Sequence, residues 1–155
     1  MQLKSLLSNF NSISLSDASS VSLLNRIDRK FVFKKDRLSN LLDLLVEHYD
    51  VLDVNGVQLQ NYNSLYFDTE DRFFFTQHHN DRVNRNKVRF REYVGAGLVF
   101  LEVKFKNNKN KTIKNRLRVN KISSFLSPDQ ENYVNGVIGE KMCLQSKQYI
   151  RFKRI

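Results

Sequence analysis

The sequence predicts an α+β fold: an antiparallel sheet that carries the chemistry, with helices beside it. Three observations lead there. Between Lys87 and Val119, three segments alternate apolar and charged residues with the period of a strand. Leu38, Leu41, Leu42, Leu45 and Tyr49 recur at helical spacing. After them, Ser127 offers a hydroxyl cap, Pro128 takes the first helical position, and Asp129 and Glu131 place acids in the first turn of a further helix.

The elements follow in order. Leu3, Leu6, Leu7 and Phe10 predict a short amphipathic helix, and the Ser-rich stretch from Ser12 to Ser22 reads as a connector. Residues 1–22 therefore precede a domain over 23–155. Arg26 to Lys34 alternates as a strand, with Ile27, Arg29, Phe31 and Phe33 on one face and Arg26, Asp28 and Lys30 on the other. Asp36 is placed to cap the leucine-striped helix, and Asn55-Gly56 marks a turn. Tyr62 to Thr69 reads as a strand in which Leu65 and Phe67 oppose Tyr66 and Asp68. Phe73, Phe74 and Phe75 follow, and a polar segment from Gln77 to Asn86 leads into the three alternating strands. Turns at Gly95-Ala96-Gly97 and at Asn107 to Lys111 divide these strands. Val134, Val137 and Ile138 supply the apolar side of the later helix, and Lys147 to Ile155 alternates as a last strand.

A chain of 155 residues, 41% of them hydrophobic, can bury one real core. Its 26 Lys and Arg against 16 Asp and Glu leave a net charge of +10, which calls for an anionic partner. The single cysteine, Cys143, allows no disulfide within the chain and predicts a reducing, cytoplasmic setting. Met1 to Phe10 has no leader-like apolar run, and no segment reaches the roughly 18 apolar residues of a membrane span.

The alternation decides where the charge goes. Lys87, Arg89, Arg91 and Tyr93 share one face of their strand; Glu102, Lys104 and Lys106 share one face of the next; Lys114, Arg116 and Arg118 share one face of the third. Lys30, with Asp28, repeats the pattern in the first strand. Nine like charges on one sheet face repel one another unless water or an anion separates them. An ordinary solvated face mixes signs and uncharged polar residues. This one has only Asp28, Glu102 and Tyr93 among its cations, and it favours Arg, whose planar fork matches phosphate oxygens. The face is therefore a predicted anion site. A flat sheet would suit nucleic acid, whereas a closed barrel would hold a thin linear polyanion and exclude a duplex; alternation leaves both open. Against nucleic acid stands the want of an aromatic-rich exposed face for stacking bases.

Five motifs in order resemble a known family: Leu24 to Phe31 (LNRIDRKF), Tyr66 to Thr69 (YFDT), Arg85 to Tyr93 (RNKVRFREY), Phe100 to Lys106 (FLEVKFK) and Lys114 to Arg116 (KNR). Together they resemble the VTC domain, the polyphosphate-polymerase domain of the triphosphate tunnel metalloenzyme superfamily. The resemblance implies an antiparallel β-barrel around a hydrophilic tunnel with helices outside, binding polyphosphate or a nucleoside triphosphate with Mg²⁺ or Mn²⁺. It implies transfer of a nucleotide's terminal phosphate to polyphosphate; the alternatives are a triphosphatase on the same scaffold and a non-catalytic polyanion-binding domain. By position, Lys30, Arg89 and Arg91 match the family's catalytic cations. Lys104, Lys114 and Arg116 match phosphate-binding residues, and Lys87, Lys106, Arg118 and Tyr93 share their face. Asp28 stands where the superfamily often has the Glu of a Glu-x-Glu-x-Lys pattern, leaving Asp28 and Glu102 as the acidic metal-ligand candidates. The resemblance also predicts further strands beyond Tyr149-Ile150-Arg151, so that this chain holds part of a tunnel. Glu102 reads more simply as charge balance for its lysine neighbours, Asp68 as a cap, and the His78-His79 pair lacks a third ligand for zinc.

Overall fold

The computed structural model describes residues 2–20, 29–109 and 111–155. They form two compact units, Met1–Gln60 with Arg154–Ile155, and Asn61–Lys153.

The first unit contains α1 (Gln2–Leu7), β1 (Ser12–Ser14), α2 (Leu15–Ser20), a 3₁₀ turn (Lys35–Arg37) leading into α3 (Leu38–Leu45), and β2 (Val51–Asp53). β1 and β2 pair in parallel, with Ser12 opposite Val51. Leu7, Leu42 and Val51 are buried, and Leu3, Leu6, Phe10 and Leu38 pack around them, so the two leucine stripes read in the sequence become one small core. Asn55 and Gly56 both have positive φ, 54° and 76°, and reverse the chain between Val54 and Val57. Asp53 Oδ1 accepts the Gly56 N–H at 2.7 Å.

Three expectations change here. The connector at 12–20 is structured, because Ser12–Ser14 finds a strand partner in β2. Asp36 does not cap α3; the residue before the helix is Arg37, whose side chain makes no cap bond. Residues 29–34 form no strand and are exposed, Phe31 at 82%. Alternation suits a strand only where the backbone also finds a ladder partner, and none is supplied to 29–34. Arg26, Ile27 and Asp28 lie outside the described residues.

The second unit is built on β3 (Gln60–Asp68), α4 (Phe73–His79), β4 (Arg85–Tyr93), β5 (Leu98–Lys106), β6 (Thr112–Val119), α5 (Pro128–Ile138) and β7 (Gln145–Arg154). The five strands make one antiparallel sheet in the order β6-β5-β4-β3-β7. The expected barrel is corrected to an open sheet. Closure would need the two outer strands to pair, and β6 and β7 instead stand at opposite ends of the order.

Register explains which face is buried. Val88 stands opposite Phe67 on one side and Val103 on the other, and Phe90 opposite Leu65 and Leu101. Phe67, Val88, Phe90, Leu101 and Val103 form the core with Phe74 of α4, Leu126 and Val134 of α5. Each such side chain contributes about 1.5–3 kcal/mol by leaving water. Phe67 and Phe90 also meet edge to face, 5.4 Å between centroids. α5 begins with a reciprocal cap: Gln130 N–H donates to Ser127 Oγ, and Ser127 N–H donates to Gln130 Oε1 at 3.0 Å.

α4 replaces the first part of the polar segment expected after the three phenylalanines. Asp68 makes it possible: its carboxylate accepts the N–H groups of Phe74 at 2.8 Å and Phe75 at 2.9 Å, satisfying donors that the first helical turn leaves unpaired. Burial of Phe74 then fixes the helix against the sheet.

Candidate polyanion-binding face

The face opposite this core is the cationic one, and pairing aligns its charges across strands. Lys87 is opposite Lys104, and Lys104 opposite Lys114. Arg89 is opposite Glu102, and Glu102 opposite Arg116. Arg91 is opposite Phe100, and Phe100 opposite Arg118. Lys106 faces Arg85 and Thr112, and Tyr93 faces Tyr62. Nine residues named from the sequence, Lys87, Arg89, Arg91, Tyr93, Lys104, Lys106, Lys114, Arg116 and Arg118, thus lie on one face of three adjacent strands, with Glu102 among them. Lys30 is in the exposed 29–34 stretch of the first unit, and the sheet contains no segment from that stretch. Asp28 lies outside the described residues.

Burial divides the face. Arg89 and Glu102 are only 7% and 1% exposed. Arg89 donates from Nε at 2.9 Å and Nη2 at 2.7 Å to Glu102 Oε2, and from Nη1 to the Tyr66 hydroxyl at 2.8 Å. A carboxylate this dry needs such a partner, because an unpaired buried charge is costly. Glu102 therefore balances charge, as its lysine neighbours suggested, and its direct partner is Arg89. Around this pair lie more accessible cations: Lys87, Arg91, Lys104 and Lys106 are half-buried, and Lys114, Arg116 and Arg118 are exposed on β6. Lys104 shows the strain of the gathering. Burial lowers its pKa to about 8, Arg89, Arg91 and Lys114 push the same way, and only Glu102 opposes them. Such an ammonium gains from any anion that arrives.

Apart from Tyr93, sequence reasoning overlooked the aromatic residues of this face. The Arg91 guanidinium lies 5.5 Å from the ring centres of both Tyr62 and Phe152, and those two rings stack 5.0 Å apart. Arg91 Nε also donates to Ser64 Oγ at 3.4 Å. Arg116 lies over Phe100 at 4.9 Å, and Tyr93 meets Tyr62 and Phe100 edge-on. The parity that placed Arg91 also places Tyr62 and Phe100, so the signal was present; the strand order that brings Phe152 of β7 beside β3 was not. These rings hold the guanidinium planes in position instead of standing free.

At the other end, Arg85 is buried, donates to the Arg82 carbonyl at 2.6 Å and pairs with the exposed Asp81 at 3.3 Å. A cavity of about 250 Å³ opens there between β3, α4, β4 and β7, with Lys87, Lys147, Arg72 and His78 in its wall. Burial, then Lys87 and Arg85, lower the His78 pKa, so its imidazole is neutral at pH 7.

Among the described residues, no group of three or more His, Cys, Asp or Glu side chains could hold a metal ion. Glu102, the carboxylate among the cations of β4, β5 and β6, is committed to Arg89. The described donor set does not by itself fit a protein-held Mg²⁺ or Mn²⁺. No described helix is long and apolar enough to cross a membrane.

A sheet with one face on a core and the other lined by register-matched cations presents a surface suited to an anionic ligand. The VTC domain family matches residues 25–150, most of the chain, and the protein belongs to that family. A polyphosphate-related function goes with this membership. No curated protein matches the chain.

Proposed function

We propose that the cationic face binds a linear polyphosphate or the phosphates of a nucleoside triphosphate, and that the domain serves transfer of a terminal phosphate onto polyphosphate. The alignment Lys87–Lys104–Lys114 across β4, β5 and β6 carries this reading. It puts three lysines side by side on strands whose backbones run about 5 Å apart, a row that a chain of phosphates can neutralise and a single carboxylate cannot. Phosphoryl transfer needs little covalent help from the protein; it needs alignment and charge neutralisation. Arg91, Lys104, Lys114 and Arg116 are the contact residues in this reading, and Arg89 sets the field behind them while holding Glu102. A divalent cation belongs to the proposal on the family resemblance, carried mainly by phosphate oxygens as Mg²⁺ commonly is. Lys30 keeps its proposed role on the same ground.

Calorimetry with tripolyphosphate, against a short single-stranded DNA of matched charge, tests the binding. Saturable tripolyphosphate binding, weakened at least tenfold in Lys104→Ala/Lys114→Ala, is expected. Equal binding of the DNA, unaffected by those substitutions, would remove the proposal. Incubation with ATP then separates the activities: lengthening polyphosphate marks transfer, and orthophosphate release alone marks a triphosphatase.

A further inference from the structure

Arg89 and Arg91 share one face of β4 and are held in opposite ways. Arg89 gives Nε and Nη2 to Glu102 and Nη1 to the Tyr66 hydroxyl, so its charge is balanced and all three nitrogens are engaged. Arg91, among the described residues, is in no ion pair, and its hydrogen bond runs from Nε to Ser64 Oγ at 3.4 Å. Within that set, Nη1 and Nη2 have no partner. Two rings hold the group instead. The guanidinium lies 5.5 Å from the centres of both Tyr62 and Phe152, whose planes are within 7° of parallel. Tyr62 is buried and braced edge-on by Tyr93 at 5.1 Å. Phe152 is 36% exposed and comes from β7, outside the three strands that carry the aligned cations.

The two holders differ in what they leave behind. A carboxylate fixes a guanidinium by neutralising it and by taking its N–H groups, so an arriving phosphate must compete for both. An aromatic ring attracts the cation through its quadrupole and stacks on its plane, leaving the charge and the outer N–H groups available. Arg91 needs a holder, because it stands among repelling cations: it is one of the groups that disfavour the charge on Lys104. We propose that Tyr62 and Phe152 are positioning residues for phosphate binding, an uncharged seat that turns the Arg91 fork so that Nη1 and Nη2 reach two oxygens of one phosphate. Such a paired contact is the strong form of the arginine–phosphate bond, and it depends on the orientation of the plane. The inference rests on the phosphate-binding reading of the face and extends the site to β7.

The test is a double-mutant cycle on the full chain, read as tripolyphosphate affinity by calorimetry. Phe152→Leu keeps an apolar side chain and removes the ring; Phe152→Tyr keeps the ring. Phe152→Leu should weaken binding about threefold, and Phe152→Tyr should restore the unaltered affinity. In the Arg91→Ala background, itself about tenfold weaker, Phe152→Leu should change nothing further. A support for the sheet alone would act equally in both backgrounds and would be satisfied by leucine. An unchanged circular-dichroism spectrum guards against a folding defect, and the partial exposure of Phe152 makes one unexpected. If tripolyphosphate binds and Arg91→Ala weakens it, while Phe152→Leu has no effect or the same effect in both backgrounds, the seat is wrong and the phosphate face stands. If the unaltered protein does not bind tripolyphosphate, both fall.

Discussion

Arg89 and Glu102 show how one residue pair shapes the face. Both were candidates for direct chemistry, and they are joined by two hydrogen bonds in a nearly dry position, with Tyr66 as a further partner of Arg89. Removing one partner leaves the other charged and buried without its counter-charge. Glu102→Ala should therefore cost about 3–5 kcal/mol of stability in urea unfolding, whereas Lys114→Ala, exposed on β6, should stay within about 0.5 kcal/mol. Comparable losses in the two variants would mean that the pair is not the support described. Lys104 makes a second prediction at this scale. Its pKa in the free protein is about 8, and a bound phosphate favours the ammonium and raises it. Below pH 8 the charge is already present and the affinity contributed by Lys104 is flat. As pH rises above 8, the free protein loses the proton that the complex keeps, so binding takes up a proton and weakens. Lys104→Arg, charged throughout, should flatten this dependence, and titrating both proteins separates the effect from the ligand's own ionisation. Identical profiles would exclude Lys104 from contact.

The elements were readable in the sequence to differing degrees, for physical reasons. β4, β5 and β6 followed from alternation because each turns apolar residues to one face and mostly charged residues to the other, and cross-strand pairing keeps that parity along the sheet. α5 was readable from its start: Ser127 and Pro128 sit where expected, although the reciprocal partner is Gln130 and not an acid. α4 was not readable, since three phenylalanines in a row carry neither period, and its first turn depends on Asp68, five residues before the helix begins. The alternation at 29–34 misled because its apolar residues meet no core. The cap predicts a separation of roles. Ser127→Ala should cost about 1 kcal/mol of stability and leave tripolyphosphate affinity unchanged, since α5 packs behind the sheet. A matching loss of affinity would couple the core face to the cationic one more tightly than the packing implies.

At the scale of the molecule, the net charge of +10 says little until register shows where the cations lie. From Lys87 to Arg91 the row runs about 13 Å along β4, and three strands give it width, so a short phosphate chain can touch cations on both sides. An open sheet leaves that row accessible from water. Salt should consequently act strongly: counterions released from a polyanion when it meets protein cations make the logarithm of affinity fall with the logarithm of salt concentration. The argument gives a number to count. Each exposed cation that contacts phosphate should account for roughly one unit of that slope, so Lys114→Ala/Arg116→Ala/Arg118→Ala should flatten it by about three while weakening binding. A triple variant of exposed cations outside the strands of the same unit, Arg82→Ala/Lys121→Ala/Lys141→Ala, lowers net charge equally. If affinity answers to net charge alone, the two variants will shift the slope alike. If it answers to the register of the sheet, only substitutions on β6 will change it, and salt titration of tripolyphosphate binding decides between them.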